Sequence, residues 1–234
     1  MTAGIVRPKP GLSERLYRRF FHKFHGRDLY GALQLRARDE ALDYIAAHMG
    51  EALMFRDRWA QLGHGLGIAG REGMILEFGV QDGASLNHLA ALAPSRIIHG
   101  FDSFEGLPED WTGTFEARGK FTRGGAAPLV RSNARLHVGW FDKTLPGFLE
   151  AHAGPVALLH VDCDLYASTR IVLEALAPRL HPGAILIFDE YFNYPNWRAH
   201  EFRAFQEWIE TTGRAYAYRG FTAVNGHVMV QLLS

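Results

Sequence analysis

Met74-Ile-Leu-Glu-Phe-Gly-Val-Gln-Asp-Gly83 is the stretch on which the fold turns. Its first five residues form a short apolar run, the signature of a strand covered on both faces. Gly79 and Gly83 let the backbone come close to a ligand, and Ala84-Ser-Leu-Asn-His-Leu89 opens a helix whose N-terminal end is positive. Strand, glycine loop and helix make the first unit of a doubly wound sheet, where ligands sit beyond the carboxyl ends of the strands. The loop lacks the Gly-x-Gly-x-x-Gly spacing of a pyrophosphate cofactor. Its two acids, Glu77 and Asp82, suit a ligand bearing an amino group and a sulfonium better than a diphosphate. Glycines that serve only tight strand–helix packing are the alternative.

The same alternation continues along the chain. It predicts strands near 74–80, 96–101, 135–138, 156–161 and 184–189, with helices near 84–92, 143–152, 168–180 and 197–212. Strands alternating with helices predict an α/β fold, a doubly wound and mostly parallel sheet with helices on both sides. Two last runs, 215–218 and 226–233, are joined by a turn and predict a hairpin at the sheet edge. The second strand ends at Asp102, an acid placed to accept both hydrogen bonds of a ribose diol. Nicotinamide and adenosyl cofactors share that contact, so the glycine spacing decides between them.

Residues 1–72 read as an N-terminal helical extension and residues 73–234 as the main domain. Leu12 to Phe24 is basic and aromatic and predicts a short amphipathic helix, packed on its own domain, on a second copy in a homo-oligomer, or on a membrane surface. A second helix is expected over 36–55, and Gly63-His-Gly-Leu-Gly-Ile-Ala-Gly70 is expected to break the helical pattern. Lysine plus arginine (25) balances aspartate plus glutamate (25), so no global field favours nucleic acid. The one cysteine, Cys163, fits a reducing compartment, and the expected location is the cytoplasm.

Four ordered blocks then carry a resemblance. They are Leu76-Glu-Phe-Gly-Val with Gly83, Asp102-Ser-Phe-Glu-Gly-Leu-Pro108, Gly139-Trp-Phe-Asp-Lys-Thr-Leu-Pro146, and Val161-Asp-Cys-Asp-Leu-Tyr-Ala-Ser-Thr169. Over residues 73–206 the chain resembles the macrocin O-methyltransferase (TylF/MycF) family of class I S-adenosylmethionine-dependent methyltransferases. The resemblance implies a seven-stranded sheet with a reversed last strand. It also implies that Glu77, Gly79 and Gly83 surround the methionine part of S-adenosylmethionine, that Asp102 holds the ribose, and that Ser103 and Trp140 lie near the adenine.

Two further strands end in acids, at Asp162 and at Asp189-Glu190. Carboxylates crowded at one sheet edge repel one another unless a cation joins them. Hard oxygen ligands suit magnesium or manganese, so Asp162, Asp189 and Glu190 are the expected metal ligands. The resembled family uses acids at these strand ends, with Asp or Asn at the last, and Glu190 departs from that pattern. Carboxylates that only position substrate or act as bases are the alternative, with Asp162 the catalytic candidate. Asp164 reads as a helix-capping or structural acid. His160 shares a strand face with Asp162 and is a supporting candidate. The aromatic run Tyr191–Trp197 is expected to contact substrate, and 111–131 to form a lid.

These readings converge on metal-assisted O-methylation of a hydroxyl on a small molecule, a sugar or secondary metabolite. A nicotinamide-dependent oxidoreductase is disfavoured by the glycine spacing and by the lack of a Tyr-x-x-x-Lys pair. A non-catalytic adenosyl-binding or membrane-associated protein is disfavoured by the acids gathered at three strand ends.

Overall fold

The computed structural model describes residues 27–234, with Leu12 and Leu16 before them. The expected helix over 12–24 otherwise lies outside the described residues. Eight strands form one sheet, in the order β1-β7-β8-β6-β5-β2-β3-β4. They are β1 (Leu53–Phe55), β2 (Met74–Phe78), β3 (Ile98–Asp102), β4 (Ala134–Val138), β5 (Val156–Val161), β6 (Leu180–Phe188), β7 (Tyr216–Thr222) and β8 (Val228–Leu232). β8 alone runs antiparallel to its neighbours β6 and β7, so the expected hairpin forms but does not close the sheet edge, because β1 pairs outside β7. Within residues 27–234 six α-helices accompany them: α1 (Leu29–His48), α2 (Arg58–Ile68), α3 (Ala84–Leu92), α4 (Phe141–Ala151), α5 (Tyr166–Leu176) and α6 (Glu201–Thr212).

Alternation along the strands sorts the core into two layers. Leu76, Phe78, Leu159, Val161, Leu186 and Phe188 face the layer that holds α4, α5 and α6. Ile75, Leu158, Ile185, Ile187 and Met229 face the layer beneath α2 and α3. Continued by two residues toward the strand ends, this second face carries Glu77, His160, Asp162, Asp189 and, from before β8, His227. The apolar row therefore turns into a row of ionisable groups at the edge where ligands bind.

Two differences from the sequence reading matter for the site. The glycine-rich 63–70 stretch does not break a helix, because most of it is α2. At Gly65 a Cβ would stand 2.7 Å from Ile187 Cδ1, so the missing side chain is what lets α2 lie close on the sheet. β1 pairs in parallel with β7, adding an eighth strand, and α2 covers the central strands. Residues 53–55 are strand rather than the end of the expected second helix.

Three histidines pack away from the cleft. His99 Nδ1 lies 3.1 Å from His137 Nε2, and His152 stacks on Phe148 beside them. Burial, and then the neighbouring His137, depress the pKa of His99 to about 4. In the unfolded chain it returns to about 6.5. Between these values only the unfolded chain binds the proton, so stability is present above about pH 6.5 and falls as pH drops toward 4. The loss expected from a shift of that size is about 3 kcal/mol. Denaturant titrations from pH 7 to pH 4 should show it, and His99→Phe should flatten the slope.

Candidate functional site

The site lies where β2, β3, β5 and β6 end. Each strand's ladder continues one step into its loop: Asp162 N–H donates to Phe78 O, Asp189 N–H to Val161 O, and Gly79 N–H to Phe101 O. Gly79 has φ +90, and a Cβ there would overlap the Asp162 carbonyl oxygen. Only glycine lets the first loop and the Asp162 backbone come this close. A cleft of about 500 Å³ opens above these ends. Gly79, Asp102, Ser103 and Trp140 line one part of it, and Arg58, Asp162, Asp164, Asp189 and Glu190 another.

Asp102 is committed before any ligand arrives. Its Oδ2 accepts the N–H groups of Val80 and Gln81, both at 2.8 Å, and its Oδ1 accepts that of Phe104 at 2.7 Å. A carboxylate offers roughly four acceptor positions, so about one remains for a ribose hydroxyl rather than the two expected. The acid first pins the glycine loop to the end of β3. Ser103 Oγ accepts Glu105 N–H at 3.1 Å. Trp140 precedes α4, is 37% exposed and leaves an aromatic face open to the cleft.

Glu77 and Gly83 stand differently. Gly83 is the left-handed residue that starts α3. Glu77 is wholly buried, with Oε2 2.9 Å from His160 Nδ1 and Oε1 without a partner. It lies behind the wall of the cleft, not on it. His160 Nε2 lies 3.5 Å from Asp189 Oδ1, and His227 Nδ1 lies 2.9 Å from the same oxygen. The buried order is thus Glu77, His160, Asp189, His227, with acids and histidines alternating. Burial opposes the charge on His160, but the Asp189 carboxylate near Nε2 and the hydrogen bond to Glu77 prevail and hold its pKa up at about 10. Burial likewise opposes the charge on Asp189, and His160 and His227 overcome it, so that carboxyl stays ionised.

Of the three acids expected to hold a metal, the structure joins Asp162 and Asp189 and leaves out Glu190. The groups within 4.8 Å of one another are His160, Asp162 and Asp189. Arg58 already lies against the two acids: Nη2 is 3.6 Å from Asp162 Oδ2, and Nη1 is 3.3 Å from Asp189 Oδ2. Burial disfavours its charge, but Asp189 and Asp162 outweigh burial and raise its pKa. Magnesium is usually held by one or two carboxylates and waters, and here the two carboxylates that could serve, Asp162 and Asp189, already face the guanidinium, while the third close group is a histidine paired with Glu77.

Asp162 is the carboxylate left free to work. Its side chain is 22% exposed toward the cleft, and its nearest cation, Arg58, stands beyond hydrogen-bond distance. Burial, then the charge of Asp189, raise its pKa well above the ordinary carboxylate range. Asp164 does not cap α5, whose cap residue is Leu165. It adopts φ +63, lines the cleft, and is raised to about 7 by burial and then by Asp189. The aromatics of the 191–197 run turn inward: Tyr191 and Trp197 are at most 1% exposed and pack with Phe202. Trp111 and Phe121 of the 111–131 segment do line the cleft. His200 Nε2, 2.9 Å from Thr112 O, ties that segment to the start of α6.

Sequence reasoning missed two residues here. Arg58 lies before the glycine loop in sequence, and its only local signal is the capping Asp57, which accepts Ala60 N–H at 3.0 Å and starts α2 there. Glu201 follows the last motif. Its buried carboxylate accepts the N–H groups of Cys163, Asp164 and Glu190 at 3.3, 3.1 and 3.0 Å.

This arrangement, a doubly wound sheet with its loops gathered over one cleft, is the class I methyltransferase fold. Residues 76–191 match the family described as Methyltransferase domain. A relative from Streptomyces olivaceus, 8-demethyl-8-(2,3-dimethoxy-alpha-L-rhamnosyl)-tetracenomycin-C 4'-O-methyltransferase, is 34% identical over 147 residues. The match covers 52% of this chain and 54% of that protein. Mycinamicin III 3''-O-methyltransferase of Micromonospora griseorubida is 33% identical over 94 residues, 40% of this chain and 34% of that protein. The match thus spans about half or less of these relatives' length. Among solved structures, the calicheamicin methyltransferase CalS11 superposes with TM-score 0.60 at 23% identity, over 99% of both chains. The O-methyltransferase NovP gives 0.58 at 20% identity, over 76% of this chain and 80% of its own. These two likenesses concern the fold.

Glu201→Ala should leave three N–H groups at the strand ends without their acceptor. The cost is about 1–3 kcal/mol for each one that water does not reach, read as a fall in the denaturation midpoint. Gly79→Ala should be worse and yield no stably folded protein, which circular dichroism and proteolysis would report.

Proposed function

We propose that the protein transfers the methyl group of S-adenosylmethionine to a hydroxyl of a small molecule, a sugar or sugar-bearing secondary metabolite. One observation carries this reading: Asp162, a cleft-facing carboxylate with no hydrogen bond and a raised pKa, stands beyond the glycine loop that Asp102 pins. The relatives named above methylate hydroxyls on glycosylated natural products, by their names, and this supports the acceptor class.

Each residue then has a task. Asp102 and the backbone of Val80 and Gln81 shape the nucleoside end, and the Trp140 ring gives a base a flat apolar face. The chemistry supplied by bound S-adenosylmethionine is a methyl carbon that forms a bond to the acceptor oxygen as its bond to sulfur breaks, leaving a neutral thioether. Asp162 takes the proton of the acceptor hydroxyl, and a carboxylate whose pKa burial and Asp189 raise above the ordinary range is a stronger base for that role. Arg58 keeps Asp162 turned toward the cleft. Trp111 and Phe121 give the acceptor apolar surface on which a sugar ring can rest.

Thermal shift tests the first half. S-adenosylhomocysteine should raise the melting temperature and NAD should not; equal stabilisation by NAD would sink the assignment. Trp140→Ala should weaken that binding by about 0.5–1.5 kcal/mol, the worth of an aromatic contact. For the second half, Asp162→Asn should lower S-adenosylhomocysteine release from an accepted glycoside by roughly 10²–10⁴-fold, with cofactor affinity unchanged. Undiminished turnover in that variant would remove Asp162 from the reaction.

A further inference from the structure

We propose that Arg58 is the resident cation of the acceptor site, standing where a divalent metal would otherwise bridge Asp162 and Asp189. The inference rests on the reading that these two acids flank the reacting hydroxyl, and it adds how their charge is balanced. Asp57 caps α2 and makes Arg58 its first residue, directly over the ends of β5 and β6. The two terminal nitrogens divide between the acids, 3.3 Å from Asp189 Oδ2 and 3.6 Å from Asp162 Oδ2. Its Nε is buried with no other partner, so the two acids are the guanidinium's polar contacts among the described residues. A rigid planar fork is the side chain that can face two carboxylates at once.

The rest of the donor set points the same way. A small divalent ion asks for near-octahedral oxygen ligands at about 2.0–2.1 Å. Here Glu190 stands outside the group of close donors, and the third member is a histidine already paired with Glu77. A guanidinium at the same two oxygens adds direct repulsion. By Coulomb's law at the effective dielectric of a partly buried site, that costs a divalent ion on the order of 100-fold or more in affinity. Glycine at position 65 keeps α2, and with it Arg58, pressed against the sheet.

The test is Mn²⁺ alone, titrated into the full-length protein saturated with S-adenosylhomocysteine and followed by the free-Mn²⁺ paramagnetic resonance signal. Wild type should show no saturable binding at millimolar Mn²⁺, and Arg58→Lys, which keeps a cation, should match it. Arg58→Gln should gain one Mn²⁺ per chain, with affinity higher by on the order of 100-fold, and Asp162→Asn added to it should abolish the gain. Stoichiometric Mn²⁺ binding by wild type that disappears in Asp162→Asn overturns the proposal, and this arm decides without any Arg58 variant. So does an Arg58→Gln protein that binds S-adenosylhomocysteine like wild type yet takes up no Mn²⁺. Failure of wild type to bind S-adenosylhomocysteine at all would count against the methyltransferase reading instead, whatever the Mn²⁺ result.

Discussion

The carboxylate of Glu201 accepts backbone N–H groups from the ends of two adjacent strands, and the geometry of the cleft depends on that contact. β5 and β6 stop pairing just before Asp162 and Asp189, so the N–H groups beyond them lose their sheet partners. Buried donors without acceptors are costly. Glu201 supplies the acceptors from the first turn of α6, and in doing so holds the loop after Asp162 beside Glu190. Burial, then the nearby Asp164, raise its own pKa to about 8. The acids lining the cleft at these strand ends are therefore positioned by a third, Glu201, that lies outside the lining.

The charges behind the cleft are arranged by the same economy. Removing one member of a buried ion pair costs far more than the pair contributes, so a row of such groups holds only when each has a partner. Strand register provides this. Glu77 and His160 are paired residues on β2 and β5, and Asp189 continues the same face one strand further on. His227 closes the row from β8 and Arg58 covers it from α2. Asp162 alone is left with an exposed, unpaired oxygen. Among these groups, the one with spare capacity to accept a proton is the one that faces solvent.

Much of this could be read in the chain before any coordinates. The central strands and helix α3 follow from apolar runs of strand length broken by glycine, since a parallel sheet covered on both faces tolerates little else. Asp102, Asp162 and Asp189 were legible because strand ends are where doubly wound folds keep their ligand contacts. What escaped was contact between distant segments. Gly63–Gly70 looks like a helix breaker locally, and only the side chains of Ile187 and Met229, more than a hundred residues on, explain glycine at 65. Arg58 and Glu201 carry no motif. The 191–197 aromatics look like substrate contacts by position, yet Tyr191 hydrogen-bonds Tyr218 and packs inward, because β7 brings a tyrosine to meet it.

Asp102 shows how one carboxylate can carry more contacts than its place at a strand end suggests. A carboxylate at the second strand end is what a ribose would want, but the same position faces the N–H groups of a tight glycine loop. Two N–H groups of that loop, and a third from Phe104 in the next, are taken up by Asp102 within the protein itself. The loop is thereby organised before ligand binding, and ordering it then adds no conformational cost to association. Asp162 and Arg58 extend this logic to the far end of the cleft. The backbone of one loop is pinned by Asp102, that of the next two by Glu201, and the charge between them is held by a guanidinium rooted in a capped helix. A site built this way is held in its walls by backbone contacts and leaves carboxylates, Asp162 among them, facing the cleft without hydrogen bonds.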